Sequence, residues 1–401
     1  ALPIWAAFVT SGDVTNPLVS TAGATLPDLQ AKIDAAEDNA TITLDSDTTI
    51  TETLVITSKT LTLDLNGCTL RMTGTGSVLK VSDRATLTIT DSSAAKSGTI
   101  TGGNAEDGGG VYVDDNATLE MTGGCITGCR AVDGGGVYVD YNATLKMTGG
   151  CITDCHASYG GGGIYSYENL YMGGTAKIEK CTSKWGSDDA IWNREKCNIY
   201  ADGGTVDGTV NNQGTIRRSE GAAAETVFNG TVYNRSAGTI IAGIYNETVE
   251  NNGTITGGTF WGTVTNKKSA WGNEAGTIRG GTFAVTFDRG DGTKTEPKLV
   301  PWNDKVPRPT SDPEKSGHTF IDWYLDDAPY DFDTPVTAPL TLTAKWEKVP
   351  SSGGYYYYPP TTDTKTTDTK GSPKTADPGV ALYAALSLLS LTGLTCITKK
   401  R

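Results

Sequence analysis

The sequence predicts a mainly β protein built around a solenoid of short parallel strands. Three observations predict it. Residues 108–129, "GGGVYVDDNATLEMTGGCITGC", return almost unchanged as residues 134–155, "GGGVYVDYNATLKMTGGCITDC", at an offset of 26. Within each copy Val111, Val113, Leu119, Met121 and Ile126 alternate with Tyr112, Thr118, Glu120 and Thr127, the spacing of half-buried strands. Glycines and Asp/Asn pairs punctuate the strands as turns. A unit this short cannot bury its own apolar face, but it can when stacked on its copies.

The repeat extends to both sides. A looser copy, "GGGIYSYENLYMGGTAKIEKC", occupies 161–181, and a fourth begins at "DDAIWN", 188–193. "LTLDLNGCTLRMTG" and "ATLTITDSSAAKSGTITGG" precede it in the same texture. Residues 203–283 continue with Gly-Thr-β-branched triplets and Asn turns, read as smaller rungs. Stacking places Val111, Val137 and Ile164 inside, with Met121, Met147 and Met172. Outside, Glu120 meets Lys146. Such repeats resemble the right-handed parallel β-helix of bacterial surface proteins and polysaccharide-active enzymes, over roughly residues 40–283.

An open solenoid end exposes unpaired strand edges and needs a cover. "LPDLQAKIDAAEDNA", 26–40, offers a short helix with Leu29, Ile33 and Ala36 on one face. It resembles the N-terminal cap of these β-helices. The solenoid with its cap is therefore set at 25–283. Residues 1–24 open with "ALPIWAAFV", read as the remnant of a signal peptide or a processed end.

The idiom changes at Val285, where charges and prolines increase. "GHTFIDWYLD", "YDFDTPVT" and "LTLTAKW" resemble the internalin-type Listeria–Bacteroides repeat. That resemblance implies a small β-grasp-like module over 284–348 that serves as a spacer or docking unit. Alternation puts Phe287, Phe320, Trp323, Leu342 and Trp346 in its core. Residues 349–371 are rich in Ser, Gly, Pro and a doubled "TTDTK", the composition of a disordered linker.

The end of the sequence, 372–401, changes character again. Residues 380–398 carry no charge and are just long enough for a transmembrane helix. Lys399, Lys400 and Arg401 follow at once as a cytoplasmic stop. Upstream stands Ser372-Pro373-Lys374-Thr375-Ala376. Motif, oily span and basic end in this order resemble the cell-wall sorting signal read by sortases. The family's pattern is Leu-Pro-X-Thr-Gly; Pro373 and Thr375 match it, while Ser372 and Ala376 depart from it. The resemblance implies cleavage between Thr375 and Ala376 by a sortase thiol acting as covalent nucleophile. The acyl product would pass to a peptidoglycan precursor, leaving a chain that meets the membrane only before sorting.

Charge and composition narrow the function. A formal charge of -13 offers nothing to neutralise phosphates, so nucleic acid is not an expected partner. No cofactor is expected. The cysteines recur at C-x₃-C on strands rather than at metal-ligand spacing, so no metal site is expected either. Cys125 and Cys151, and Cys129, Cys155 and Cys181, are read as free-thiol ladders. The best acidic pair is Asp188 and Asp189, which fall where earlier copies carry glycines. No suitable His or Arg set accompanies them, and the only histidines, His156 and His318, lie in different domains. They are weak catalytic candidates. Tyr112, Tyr138, Tyr165 and Trp192 occupy equal, outward positions in four copies. They form a candidate platform for a glycan, or a stack that merely stabilises parallel strands. The reading is a cell-wall-anchored surface protein acting in adhesion or glycan and host-surface binding. The alternatives are a polysaccharide lyase or hydrolase, and a stalk without ligand.

Overall fold

The structure, a computed structural model, describes residues 26–184, 189–268 and 275–350. The predicted segment 1–24, the linker beyond residue 350, the sorting motif 372–376, the span 380–398 and Lys399, Lys400 and Arg401 lie outside the described residues. No helix among the described residues is long and apolar enough to cross a membrane.

The described chain winds into a parallel β solenoid with three faces. On the first face, Thr118–Met121 pairs in parallel with Thr86–Thr90 before it and Thr144–Met147 after it. On the second, Cys125–Thr127 lies between Thr99–Thr101 and Cys151–Thr153. On the third, Val137–Val139 lies between Val111–Val113 and Ile164–Ser166. The third face stacks ten strands, from Leu54–Thr57 to Val264–Asn266. Identical positions of successive coils fall into register. Val111, Val137 and Ile164 are fully buried, as are Met121, Met147 and Met172. Outside, Lys146 Nζ reaches Glu120 Oε1 at 3.4 Å.

The coil shortens along the axis. Val111 and Val137 are paired at an offset of 26 residues, Val232 and Val249 at 17, and Val249 and Val264 at 15. The interior changes with it. One corner position of the third face reads Val113, Val139, Ser166, Asn193, Asn212, Asn234, Asn251 and Asn266 in successive coils. From Asn193 onward each carboxamide Nδ2 donates to the Oδ1 of the next, at 2.7–2.8 Å. A buried amide costs about 1–3 kcal/mol when unpaired, and this ladder supplies the partner from the adjacent coil. On the second face Phe228, Tyr245, Phe260 and Phe283 stack inside at 4.9–5.3 Å between ring centres.

Two cysteine rows behave differently. Cys125 and Cys151 are half-buried direct register partners, 4.5 Å apart at Cα, and they form a disulfide rather than the expected pair of free thiols. Cys129, Cys155 and Cys181 are buried and free, as expected. Each of their Sγ atoms turns to the carbonyl two residues earlier: Thr127, Thr153 and Glu179.

The N-terminal edge is covered by the helix Leu26–Ala35, whose Leu29 and Ile33 are buried on the first coil. Lys59 Nζ donates to the carbonyls of Ile33, Asp34 and Ala36 at 2.9–3.0 Å, a cation on orphan carbonyls at the helix C-terminus. At the other end one strand, Thr282–Asp288, serves two structures. Thr282 and Phe283 pair with Thr259 and Phe260 as the last rung of the second face. Val285 to Asp288 pair in parallel with Leu340 to Thr343 in the small module. The rest of that module is antiparallel: Lys298–Pro301 on one side, His318–Leu325 and Ala328–Pro329 on the other. Phe287, Trp323 and Leu342 are buried, with Phe320 and Trp346 packed against them. The module's first and last strands thus lie parallel at the centre of its sheet, with antiparallel strands outside them, and it contains no helix.

A candidate binding groove on the third face

The outward row of the third face is where side chains of one kind collect. In register it reads Val55, Lys80, Tyr112, Tyr138, Tyr165, Trp192, Asn211, Tyr233 and Glu250. Pleat alternation puts these outward because their neighbours Val111, Val137, Ile164 and Ile191 point in. Tyr112, Tyr138, Tyr165 and Trp192 thus form one continuous stack. Successive ring centres are 5.4, 5.8 and 6.2 Å apart with planes within 13° of parallel.

That geometry changes what the row can offer. Rings stacked along the axis spend their faces on one another and present edges and hydroxyls outward. The sequence pointed Tyr165 to solvent, but it is 2% exposed. Tyr138 and Trp192 cover its two faces, and Tyr167 lies against it at 5.5 Å. Lys80 Nζ occupies the remaining face of Tyr112, 4.9 Å from the ring centre.

Two flanks make the row a groove. The first is the turn that follows the third face. There Asp114 pairs with Lys80 at 2.9 Å, and Asp140 Oδ2 accepts from the Tyr112 hydroxyl at 2.7 Å. One and two coils on, Tyr167 and Arg194 take the same position, with the guanidinium 5.0 Å over the Tyr167 ring. The second flank is a short extra strand that the sequence did not reveal. Arg130–Asp133, His156–Gly160 and Thr182–Ser183 stack as a separate three-stranded sheet. Asn104 and Asp107 extend it by single bridges to Arg130 and Asp133. It abuts the row: a Cβ on Gly160 would stand 2.8 Å from the Trp192 ring. Between this flank and the floor, a cavity of about 550 Å³ is lined by Val55, Lys80, Tyr112, Asn104, Glu106 and Asp107.

The groove is electrostatically one-sided. Burial, then the neighbouring Asp133, Glu106 and Asp140, push the Asp107 carboxyl up to about 6. Burial also raises Asp133. Burial raises the phenols of Tyr112, Tyr138 and Tyr165 above the ordinary tyrosine range, so all three remain hydroxyls at neutral pH. Asp133 Oδ1 and Trp192 Nε1 are buried without hydrogen-bond partners.

The weak acidic candidates fare differently. Asp188 lies outside the described residues. Asp189 is 1% exposed; its Oδ2 accepts from the Gly161 amide at 2.9 Å and its Oδ1 from Asn211 Nδ2 at 3.3 Å. It serves as a buried brace for the glycine turn. The acidic residues at the groove, Asp107, Asp133 and Asp140, are not among the catalytic candidates of the sequence. Their only advance signal is recurrence, at an offset of 26, beside the tyrosine positions. Among the described residues no group of three or more His, Cys, Asp or Glu side chains is arranged to hold a metal.

The small module carries an outside likeness. Its shared strand and its Phe287, Trp323 and Leu342 core span the stretch concerned. Residues 283–345 match the Listeria-Bacteroides repeat domain. Such repeat domains occur in extracellular or surface proteins, and together with the stacked coils this fits a surface repeat protein. No curated protein and no solved structure matches the chain.

Proposed function

We propose that this protein is displayed on the cell wall and binds a glycan on the host or on a neighbouring surface, using the groove on its third face. The observation that carries the reading is the tyrosine and tryptophan row enclosed by two flanks, with polar atoms left unpartnered along it. Carbohydrate sites combine aromatic surface with a few convergent polar groups. The row from Val55 to Trp192 covers six coils, about 24 Å at the usual strand spacing. That suits an extended chain better than a single sugar. Display rests on the order of Ser372-Pro373-Lys374-Thr375-Ala376, the oily span 380–398 and Lys399, Lys400 and Arg401.

Two experiments test the two halves. A glycan and host-matrix array probed with the full chain should give binding that Tyr138→Ala removes while circular dichroism shows the solenoid still folded. Unaltered binding sinks the groove. Mass spectrometry of wall digests should find a peptide ending at Thr375 joined to a wall fragment. Intact residues 376–401 in the wall fraction refute sorting.

A second reading keeps one observation in its favour. A carboxyl held near 6 beside a second acidic group is suited to general acid work on a polysaccharide. In that reading Asp107 and Asp133, rather than Asp188 and Asp189, carry the chemistry. An assay for reducing or unsaturated sugar ends decides it.

A further inference from the structure

The polar atoms around Tyr138 are unmatched in one direction. The Asp107 carboxylate accepts no hydrogen bond from any described residue; only its backbone carbonyl is used, by Ser77 Oγ at 3.1 Å. Asp133 Oδ1 is closed off and has no donor. The Tyr138 hydroxyl makes no hydrogen bond to another described residue, and Asp107 is the charge that bears on it most. Glu106 and Asp140 add further negative charge to the same cluster.

The cations nearest to the row are already engaged. Lys80 is paired with Asp114 and seated on the Tyr112 ring. Arg194 is hydrogen-bonded to the Tyr165 hydroxyl and lies over the Tyr167 ring. The chain therefore seats a cation of its own toward each end of the aromatic row; Arg194 also bears on Asp133, and no cation is among the charges that bear on Asp107 and Tyr138. Carboxylates gathered in a half-buried place with surplus acceptors call for an ammonium donor.

We infer that the head of this groove takes a primary ammonium group carried on a sugar chain, that is, a non-acetylated amino-sugar polymer, with Asp107 and the Tyr138 hydroxyl as its direct partners. The inference rests on the glycan reading above and names its ligand class. Asp133 and Glu106 supply the field that favours a cation. Asp140 holds the Tyr112 hydroxyl, and so keeps the floor in place beneath the ligand. A neutral or N-acetylated sugar would leave the carboxylates uncompensated. An acidic sugar would be repelled.

The test uses the full chain and immobilised hexamers of glucosamine and of N-acetylglucosamine at pH 7, with a neutral glucan and polylysine as further probes. Binding to the glucosamine hexamer should exceed binding to its N-acetylated form about tenfold or more, as expected for one charge-assisted contact. It should weaken as salt rises. Asp107→Asn and Tyr138→Phe should each weaken it several-fold, with the circular dichroism of the solenoid unchanged. Equal or tighter binding of the N-acetylated or neutral chains overturns the ammonium inference and leaves the glycan reading standing. Preference for polylysine overturns the sugar and keeps the cation. Binding to none of the glycans defeats both the inference and the reading it rests on.

Discussion

The side-chain amide of Gln30 makes both hydrogen bonds of a peptide group with Val55. Its Nε2 donates to the Val55 carbonyl at 3.0 Å, and its Oε1 accepts from the Val55 amide at 2.9 Å. Val55 lies on the first strand of the third face, which has no strand before it. One side chain from the cap helix thus stands in for the missing neighbour. Gln30→Ala should cost about 1–3 kcal/mol, the range for leaving paired backbone groups without partners. Amide hydrogen exchange should quicken at residues 54–57 before it does at 137–139. Uniform exchange, or an unchanged melting temperature, would remove the capping role.

The asparagine ladder gives a sharper contrast. Asn234→Leu leaves the buried Asn251 Oδ1 without its donor, while Asn212 Nδ2 keeps the Gly214 and Thr239 carbonyls. The expected loss is about 1–3 kcal/mol from one unsatisfied buried group. Asn246→Ala removes a similar bond, to Asn229 at 2.7 Å, at an exposed position. Its effect should stay within about 0.5 kcal/mol. Denaturant unfolding of the two variants side by side measures the difference, and equal losses would contradict it.

Cys125 and Cys151 close a loop of 26 residues between adjacent coils. Reduction, or Cys125→Ser with Cys151→Ser, should lower stability by about 3 kcal/mol on the chain-entropy account. Peptide mapping without reductant should recover these two residues in one linked fragment. Cys129, Cys155 and Cys181 should be alkylated only after unfolding, because they are buried. Alkylation of Cys125 in the native, unreduced protein would rule the bond out.

Asp107 fixes a sign for pH. Its folded value is raised from 3.8 to about 6, so the native state prefers the neutral acid. A raised acid contributes stability below its unfolded value and loses it as pH rises through the folded one. The window is therefore about pH 4 to 6. The charges that bear on it are Asp133, Glu106 and Asp140. Asp107→Asn should leave melting unchanged near pH 4 and raise it at pH 7. A variant that is less stable at pH 7 would mean that the carboxylate has an attractive partner.

Much of the solenoid was legible because a near-identical repeat fixes register as well as strand type. Val111, Val137 and Ile164, and the Met121 series, could be placed inside by alternation alone. Alternation gives only the side of a strand. It cannot tell that rings one coil apart pack face to face and cover Tyr165. It is equally blind to the extra strand at 130–133, because "RAVD" has too few residues to show a period. The asparagines at 212, 234 and 251 resemble turn residues, and only coil-to-coil register shows them as an interior row. The disulfide was missed for the opposite reason. Recurrence at an offset of 26 accounts for Cys125 and Cys151 equally well as two thiols or as a bonded pair.

The central claim, that a ligand lies along the third face, is tested most directly by oxidative footprinting of tyrosines with and without a bound oligosaccharide from the array. Tyr171 and Tyr200 supply an internal control, since they stack at 4.3 Å on the first face, away from the groove. Protection of Tyr112 and Tyr138, with Tyr171 and Tyr200 unchanged, is the expected result. Protection of Tyr171 and Tyr200, or of none of the four, would contradict it.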